Sequence, residues 1–517
     1  MLKIAILITC LFLTACMVGP NYKEPKTSVA SHWVEKNATV RETPAETANW
    51  WSVFHDKNLA DLICDGYKHN LTVQSAGVKV LQVRAQLAQA VGQLYPQQQG
   101  AGGSLDYYRT GGNYLQNVLP SSFNAATLGF SANWEIDFWG KYRRAILSND
   151  ATFLASLAAY DAALVTLTGD IASTYISIRT TQSLIRVTKQ NIALQNESLN
   201  LTKARYRAGE ISMQDVAQAE TELAETQAQL PTLISQLQRY KDALAVLLGM
   251  PPEGVDPLLL KKYGIPKAPS FIAVGIPKEA MHMRPDVYQA RMDTIAQSEA
   301  IGATKAELYP ALSLAGTFYF SANTINKSSL NDLFNWSSRN ITAGPGFSWP
   351  LLNYGQITNA VRAQDAVFQQ SLLNYQNIVL KAQQEVQDNI TRYVEAKKAE
   401  RLYAKAVRSA ILATKLTTIR YREGEADYTI VVYAQQQQLR VENAQVQAQG
   451  EVPQALVAIY RALGGGWQIR GGNDIVPMNI KEEMAARTNW GNLLLPENHQ
   501  AAKTKQERNK RIYIPNW

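Results

Sequence analysis

Cysteine is almost missing from these 517 residues: only Cys10, Cys16 and Cys64 occur. Cys10 and Cys16 belong to an apolar leader, which leaves Cys64 without a partner and excludes an internal disulfide. A lone thiol of this kind is expected to be a small buried hydrophobe. Histidine is nearly as scarce. His32, His55, His69, His282 and His499 are scattered and form no HExxH pair, so metal-dependent hydrolysis has no carrier. No GlyxxxxGlyLys[Ser/Thr] loop is present, and Gly100-Ala101-Gly102-Gly103 lacks the strand–turn–helix setting of a dinucleotide loop. The chain therefore reads as something other than an enzyme, with neither metal nor cofactor. Past the leader there is no run of about 18 apolar residues, so the protein either lies on a membrane or crosses one as strands. Charge gives no nucleic-acid signature, because 51 basic and 43 acidic residues are interleaved to a net +8. The one dense basic run, Lys503, Lys505, Arg508, Lys510 and Arg511, reads as a solvated tail.

What is present begins at the N-terminus. Met1-Leu2-Lys3 gives a basic start, and Ile4 to Leu13 is an apolar stretch too short to span a bilayer but suited to a signal peptide. It runs into Leu13-Thr14-Ala15-Cys16, which resembles the lipobox of bacterial lipoproteins. In those proteins the thiol is acylated and becomes the mature N-terminus. Residues 1–15 are thus expected to be removed and Cys16 to carry covalent lipid. Met17 follows where an aspartate would favour inner-membrane retention, so the expected destination is the outer membrane.

The rest is one unit written twice. Arg205-Tyr206-Arg207-Ala208-Gly209-Glu210 returns 215 positions later as Arg420-Tyr421-Arg422-Glu423-Gly424-Glu425. Leu248-Gly249 returns as Leu463-Gly464, Trp139-Gly140 as Tyr354-Gly355, and Leu94-Tyr95-Pro96 as Leu308-Tyr309-Pro310. Landmarks that far apart keep one spacing only if the whole unit is repeated. The boundaries follow: an extended N-terminal segment and the start of an equatorial region over 16–69, repeat one over 70–283, repeat two over 284–467 and a tail over 468–517.

Each repeat opens with a helix, Asn70 to Leu94 or Arg284 to Leu308, that stops before a proline. The proline-free stretches Gly140 to Arg207 and Gly355 to Arg422 read as single helices of roughly 100 Å at ~1.5 Å per residue. Gly209 and Gly424 suit the left-handed residue that ends such helices. Returning helices follow, Ser212 to Leu248 and Asp427 to Leu463. The short and returning helices together match the long one, so they are expected to stack end to end beside it. Val216, Leu223, Leu230, Leu237 and Leu244 form a heptad seam. Ile185, Ile192 and Leu199, and on the far side Val187, Leu194 and Leu201, predict two narrow seams on the long helix, as on a stave with a neighbour on each side.

Four segments alternate apolar and small or polar residues: about 100–109, 127–137, 311–321 and 341–350. Each matches the 9–11 residues of a tilted membrane strand. The intervening 111–126 and 322–339 are expected as outer loops. Four strands cannot close a barrel, and open edges do not occur in lipid, so subunits must assemble.

With the lipobox, Trp50-Trp51 before Phe54 and Asp56, the paired LeuTyrPro and ArgTyrArg-x-GlyGlu motifs, and Ala462-Leu463-Gly464-Gly465-Gly466-Trp467, the chain resembles the outer membrane factor family. These are the TolC-like channels of tripartite efflux pumps, and the likeness is to their NodT-type lipoprotein branch. The resemblance implies a mainly α-helical homotrimer with a membrane β-barrel of twelve strands, four from each subunit, and a long periplasmic coiled-coil tunnel. It implies a passive conduit for drugs or other small toxic molecules, with a protein-secretion conduit of type I systems as the alternative. The implied partners are a periplasmic adaptor protein, an inner-membrane transporter of RND, MFS or ABC type, and outer-membrane lipid, with no nucleic acid. The adaptor-docking tips carried over are Arg205, Tyr206, Arg207, Gly209, Glu210, Arg420, Tyr421, Arg422, Gly424 and Glu425. Where relatives place gate aspartates, this sequence has Ile430-Val431-Val432-Tyr433. The repeat-one equivalent of Ile430 is Asp215, which makes Asp215 and Tyr433 the gate candidates.

Overall fold

The computed structural model describes residues 17–35, 39–111, 120–259, 264–325 and 328–515. Residues 1–16, with the leader and Cys16, lie outside them, as do residues 112–119 of the first outer loop. The chain opens with α1 (Lys57–His69), started by the Asp56 carboxylate, which accepts from the N–H groups of Asn58 and Leu59. Asn70 then breaks the helix in extended conformation and caps α2 (Leu71–Gly92) by accepting from Val73 N–H. After a β-hairpin come α3 (Lys141–Arg207) and α4 (Met213–Leu247). Repeat two supplies α5 (Pro285–Ala306), a second hairpin, α6 (Gln356–Arg422) and α7 (Tyr428–Ala462). The tail adds α8 (Met478–Arg487) and α9 (Lys505–Tyr513).

Both long helices are unbroken over 67 residues. Each starts just after a left-handed glycine, Gly140 at φ 82° and Gly355 at φ 84°. The returning helices hold one proline each, Pro231 and Pro453, and continue through it. The expected end-to-end stacking is present, and both copies lock it alike. Asn70 Nδ2 donates to Leu247 O at 2.9 Å, and Arg284 Nη1 donates to Ala462 O. The side chain that begins the short helix thus satisfies a carbonyl left free at the end of the returning one. Helix α3 packs against α2, α4, α5 and α7, whereas α6 packs against α5 and α7.

That central position explains a correction. An 18-residue window of α3 is apolar enough to pass for a membrane helix, with mean hydropathy 1.4, but 61% of it is buried inside the protein. It is a core helix. Toward the far end of α3 a second correction applies. Of the six apolar seam residues, only Leu199 is fully buried, and the other five are half-buried. The fully buried row is polar: Thr181, Thr188, Gln195 and Thr202 at seven-residue spacing, with Asn191 and Ser198 between. The apolar rows flank this row, where α3 meets α4 on one side and α7 on the other. Thr181 and Thr202 satisfy their hydroxyls on the carbonyls of Ser177 and Ser198, one turn back. The Glu222 carboxylate of α4, itself buried, accepts from Gln195 at 3.3 Å and from Gln436 of α7 at 2.6 Å.

The four strands are β1 (Gln98–Arg109), β2 (Ser122–Ile136), β3 (Ala311–Asn323) and β4 (Arg339–Ser348), in one antiparallel sheet of that order. Gln98 pairs with Asn133, Ile136 with Leu312, and Ala311 with Ser348. β2 begins five residues earlier than the alternation suggested, because the ladder with β1 continues to Arg109–Ser122. One face stays apolar and uncovered, with Phe130, Leu314, Ile341 and Phe347 all exposed.

The main core sits at the junction of the helical stacks. Trp50 lies flat on Tyr460, 5.5 Å between ring centres, and edge-on to Trp51 and Phe54. The triple glycine passes directly beneath: a Cβ on Gly466, at φ 104°, would lie 2.5 Å from Thr168 Oγ1. Trp50-Trp51 and Gly464-Gly465-Gly466 are thus two sides of one contact. Cys64 is exposed, against expectation, because it falls on the outer face of α1 while Leu59, Leu62 and Ile63 face the core.

The tail is docked through two of its five basic residues, while Lys503, Lys505 and Lys510 stay exposed. Arg508 and Arg511 of α9 hold both oxygens of the Asp150 carboxylate of α3 at 2.8–3.0 Å, and that carboxylate is wholly buried. Tyr95 donates its hydroxyl to Tyr513 O at 2.5 Å. Replacing both arginines by alanine leaves a buried charge without a partner, which destabilises by about 3–5 kcal/mol. Adding Asp150→Asn to that variant is expected to restore much of the loss in a denaturant titration, because the stranded charge has gone.

Candidate functional site

The two helix reversals lie side by side at the end of the molecule far from the sheet. Each turns through a left-handed glycine, Gly209 at φ 77° and Gly424 at φ 79°, where a side chain would be strained. Glu210 N–H reaches back to Arg205 O at 3.0 Å, and Glu425 N–H to Arg420 O at 2.8 Å. These six-residue loops close the last carbonyls of α3 and α6.

Two of the ten tip positions point inward and join the reversals. Tyr421 is 1% exposed. Arg205 Nη1 donates to Tyr421 O, its guanidinium stands 4.7 Å from the Tyr421 ring centre, and its Nε donates to Glu210 at 2.8 Å. The Tyr421 ring lies 5.2 Å from that of Tyr428, and the two hydroxyls sit 3.4 Å from Thr202 and Ser198 respectively. Leu199, Val216, Ala219, Leu223 and Val431 complete a small apolar knot around them. Burial pushes both phenols above the ordinary tyrosine range, so they stay protonated hydrogen-bonding groups at any physiological pH.

The repeat symmetry is broken here. Arg420, the counterpart of Arg205, is exposed and stays within its own turn, donating to Glu425 O at 3.4 Å and lying 4.0 Å from the Glu425 carboxylate. Tyr206, the counterpart of Tyr421, is exposed too. Eight tip positions therefore face outward: Tyr206, Arg207, Gly209, Glu210, Arg420, Arg422, Gly424 and Glu425. The motif alone could not separate the inward pair from the outward one, since both copies spell ArgTyrArg.

Asp215 lies in the first turn of α4, half-buried, and its charge reaches the Tyr421 phenol. Tyr433 projects from α7 at 69% exposure, on the same outward side as the exposed Ile430. Nothing in the described residues brings Asp215 and Tyr433 into contact with each other.

At the opposite end, the first described residue, Met17, is packed on the strand–helix junction. A Cβ on Gly140 would lie 3.1 Å from the Met17 Cα. Val18 N–H donates to Trp139 O at 3.1 Å. Arg144, buried, bonds Val18 O, Asn21 Oδ1 and the Glu299 carboxylate together. The polypeptide thus leaves position 17 beside the base of the sheet.

The comparisons with known proteins agree with this geometry. The family described as "Outer membrane efflux protein" matches residues 65–250 and 276–465. The chain is 28% identical to "Nodulation protein T" of Rhizobium leguminosarum bv. viciae, over 90% of this chain and 94% of that one. It is 29% identical to "Pyoverdine export outer membrane protein OpmQ" of Pseudomonas putida, over 81% and 88%. The solved outer-membrane channel OprN superposes with a TM-score of 0.81 at 28% identity, covering 88% of this chain and all of that one. Since the family match spans both repeats, the chain belongs to the outer membrane efflux protein family, as a channel component of the outer membrane that extends into the periplasm and catalyses no reaction.

Proposed function

We propose that three copies of this chain close a twelve-stranded barrel above a helical tunnel, and that the assembly conducts small molecules outward. The carrying observation is that one subunit is unfinished on both lateral sides. β1 and β4 are the two outer strands of the sheet. Below them, α6 exposes Leu373, Leu380, Leu402, Leu412 and Leu416, while Ile234 and Val246 lie open on α4. Open strand edges in lipid and apolar rows in water both ask for a neighbour. A ring supplies one on each side. Single-channel recording of the purified assembly tests this reading: a wide, weakly selective pore is expected, and a preparation that stays monomeric and closed refutes it.

Cys16 is the proposed lipid attachment point, supported by the seating of Met17 at the sheet base. Several acyl chains anchor firmly where one binds marginally. Radioactive palmitate is expected to label the wild type and not Cys16→Ser.

The eight outward tip positions are the proposed docking surface for a periplasmic adaptor, which an inner-membrane transporter of RND, MFS or ABC type energises. Arg207 and Arg422 are exposed cations there, so they suit acidic groups on the partner. Reversing both to Glu should weaken adaptor capture about tenfold or more, on the order of 1.4 kcal/mol. Drug resistance falls with it, while the yield of assembled channel stays at the wild-type level. Unchanged resistance moves the docking surface elsewhere.

Asp215 and Tyr433 are the proposed narrow-end groups, the first by charge and the second by bulk. Three carboxylates around one axis draw cations and repel anions. Bilayer recordings of Asp215→Asn are expected to show lower cation preference, and Tyr433→Ala a higher resting conductance. A reversal potential identical to wild type removes Asp215 from the pore.

A further inference from the structure

The docked tail leaves one buried cation without a counter-ion. Arg84, on α2, is 5% exposed, and neither its Nε nor its Nη1 has a hydrogen-bond partner. Its guanidinium lies 6.0 Å from the ring centre of Phe153, and that of Arg511 lies 5.1 Å from the same ring. Burial and then the like charge of Arg511 lower the Arg84 pKa to about 10, with Asp150 opposing them. Asp150 is already committed, since Arg508 and Arg511 hold its two oxygens. A buried guanidinium with idle donors is unfavourable unless an acceptor arrives.

A cleft of about 580 Å³ opens beside it, between α2 and the tail. Lys503, Lys510 and Arg511 line it with Arg84, against two acids, Glu497 and Glu507. Glu507 is engaged at the start of α9, where it accepts from the N–H groups of Lys503 and Thr504. The cleft therefore has an excess of positive charge, and its deepest donor group is a guanidinium, whose planar fork matches an oxyanion. Its lip is of another character. Leu495 and Ile514 border it and are exposed. The neighbouring Tyr513 is tied to Tyr95, three residues before β1 begins. A cationic floor under an apolar lip, close to the base of a membrane sheet, suits a group that is anionic at one end and oily at the other.

We propose that this cleft binds a phosphate-class oxyanion, presented by an anionic phospholipid of the leaflet facing the periplasm or taken up as free phosphate. Occupation would tie α2 to α9 through a ligand, in the way that Asp150 ties α3 to α9 directly.

The test uses the full-length assembled channel, in two arms. In detergent, inorganic phosphate is titrated against chloride at constant ionic strength. In nanodiscs, phosphatidylglycerol is compared with phosphatidylcholine, and retained lipid is counted by native mass spectrometry. Wild type should gain thermal stability in at least one arm. Arg84→Gln should lose the effect, and Lys510→Gln, an exposed change that leaves the fold intact, should weaken it by at least tenfold. A phosphate response without a phosphatidylglycerol response assigns the free anion, and a phosphatidylglycerol response lost in Lys510→Gln assigns the lipid. Wild type indifferent to both, or an undiminished response in Lys510→Gln, overturns the site.

Discussion

A peptide group in hydrocarbon has nothing to bond except another peptide group, and the shape of this molecule follows from that constraint. Four strands satisfy each other on three shared edges and leave two edges bare. In the proposed ring, each subunit covers the edge that the next one leaves bare. The same incompleteness continues downward in the helices, where α3 is surrounded within its own chain and α6 is not. Sheet and helices are both unfinished, and the proposed ring would complete both.

Duplication made this economical, and divergence made it functional. The two copies lock their stacked helices in the same place, yet with different chemistry: an asparagine amide at position 70, a guanidinium at 284. At the tips the split goes further. Identical ArgTyrArg triplets supply an inward arginine from one copy and an inward tyrosine from the other, so the contact between repeats uses half of each motif. Neither copy alone could form it.

The helices and strands were legible because their signals are local. Proline-free length, a glycine at each reversal and strict alternation placed the main helices and strands of both repeats to within about five residues, whereas α1 fell inside the 16–69 stretch read as extended. Four features were not legible, and most of them depend on distant residues. Pattern-reading scores apolar residues, so it found the rows flanking Thr188 and Gln195 and missed the buried polar row between them. Arg508 and Arg511 looked solvated because their partner, Asp150, lies some 360 positions away. Cys64 looked buried because scarcity says nothing about which face of α1 a side chain occupies. The inward turn of Arg205 and Tyr421 belongs with these, since repeats that read alike give no hint of their mutual contact.

The polar row in α3 has a mechanical consequence. Separating two apolar helix faces exposes hydrocarbon to water at about 25 cal/mol for each square ångström. Hydroxyls and amides behave differently, because a departing helix partner can be replaced by a water molecule that makes a comparable bond. Toward the tips, then, α3 is joined to α4 and α7 by a hydratable joint, through Gln195, Glu222 and Gln436. The upper half of the same helix, with Phe153, Leu164, Ile171 and Tyr175 fully enclosed, is welded by oil. One continuous rod is therefore packed in hydrocarbon near the membrane, joined through a hydratable stretch farther down, and fastened again by the small apolar knot beside its free end.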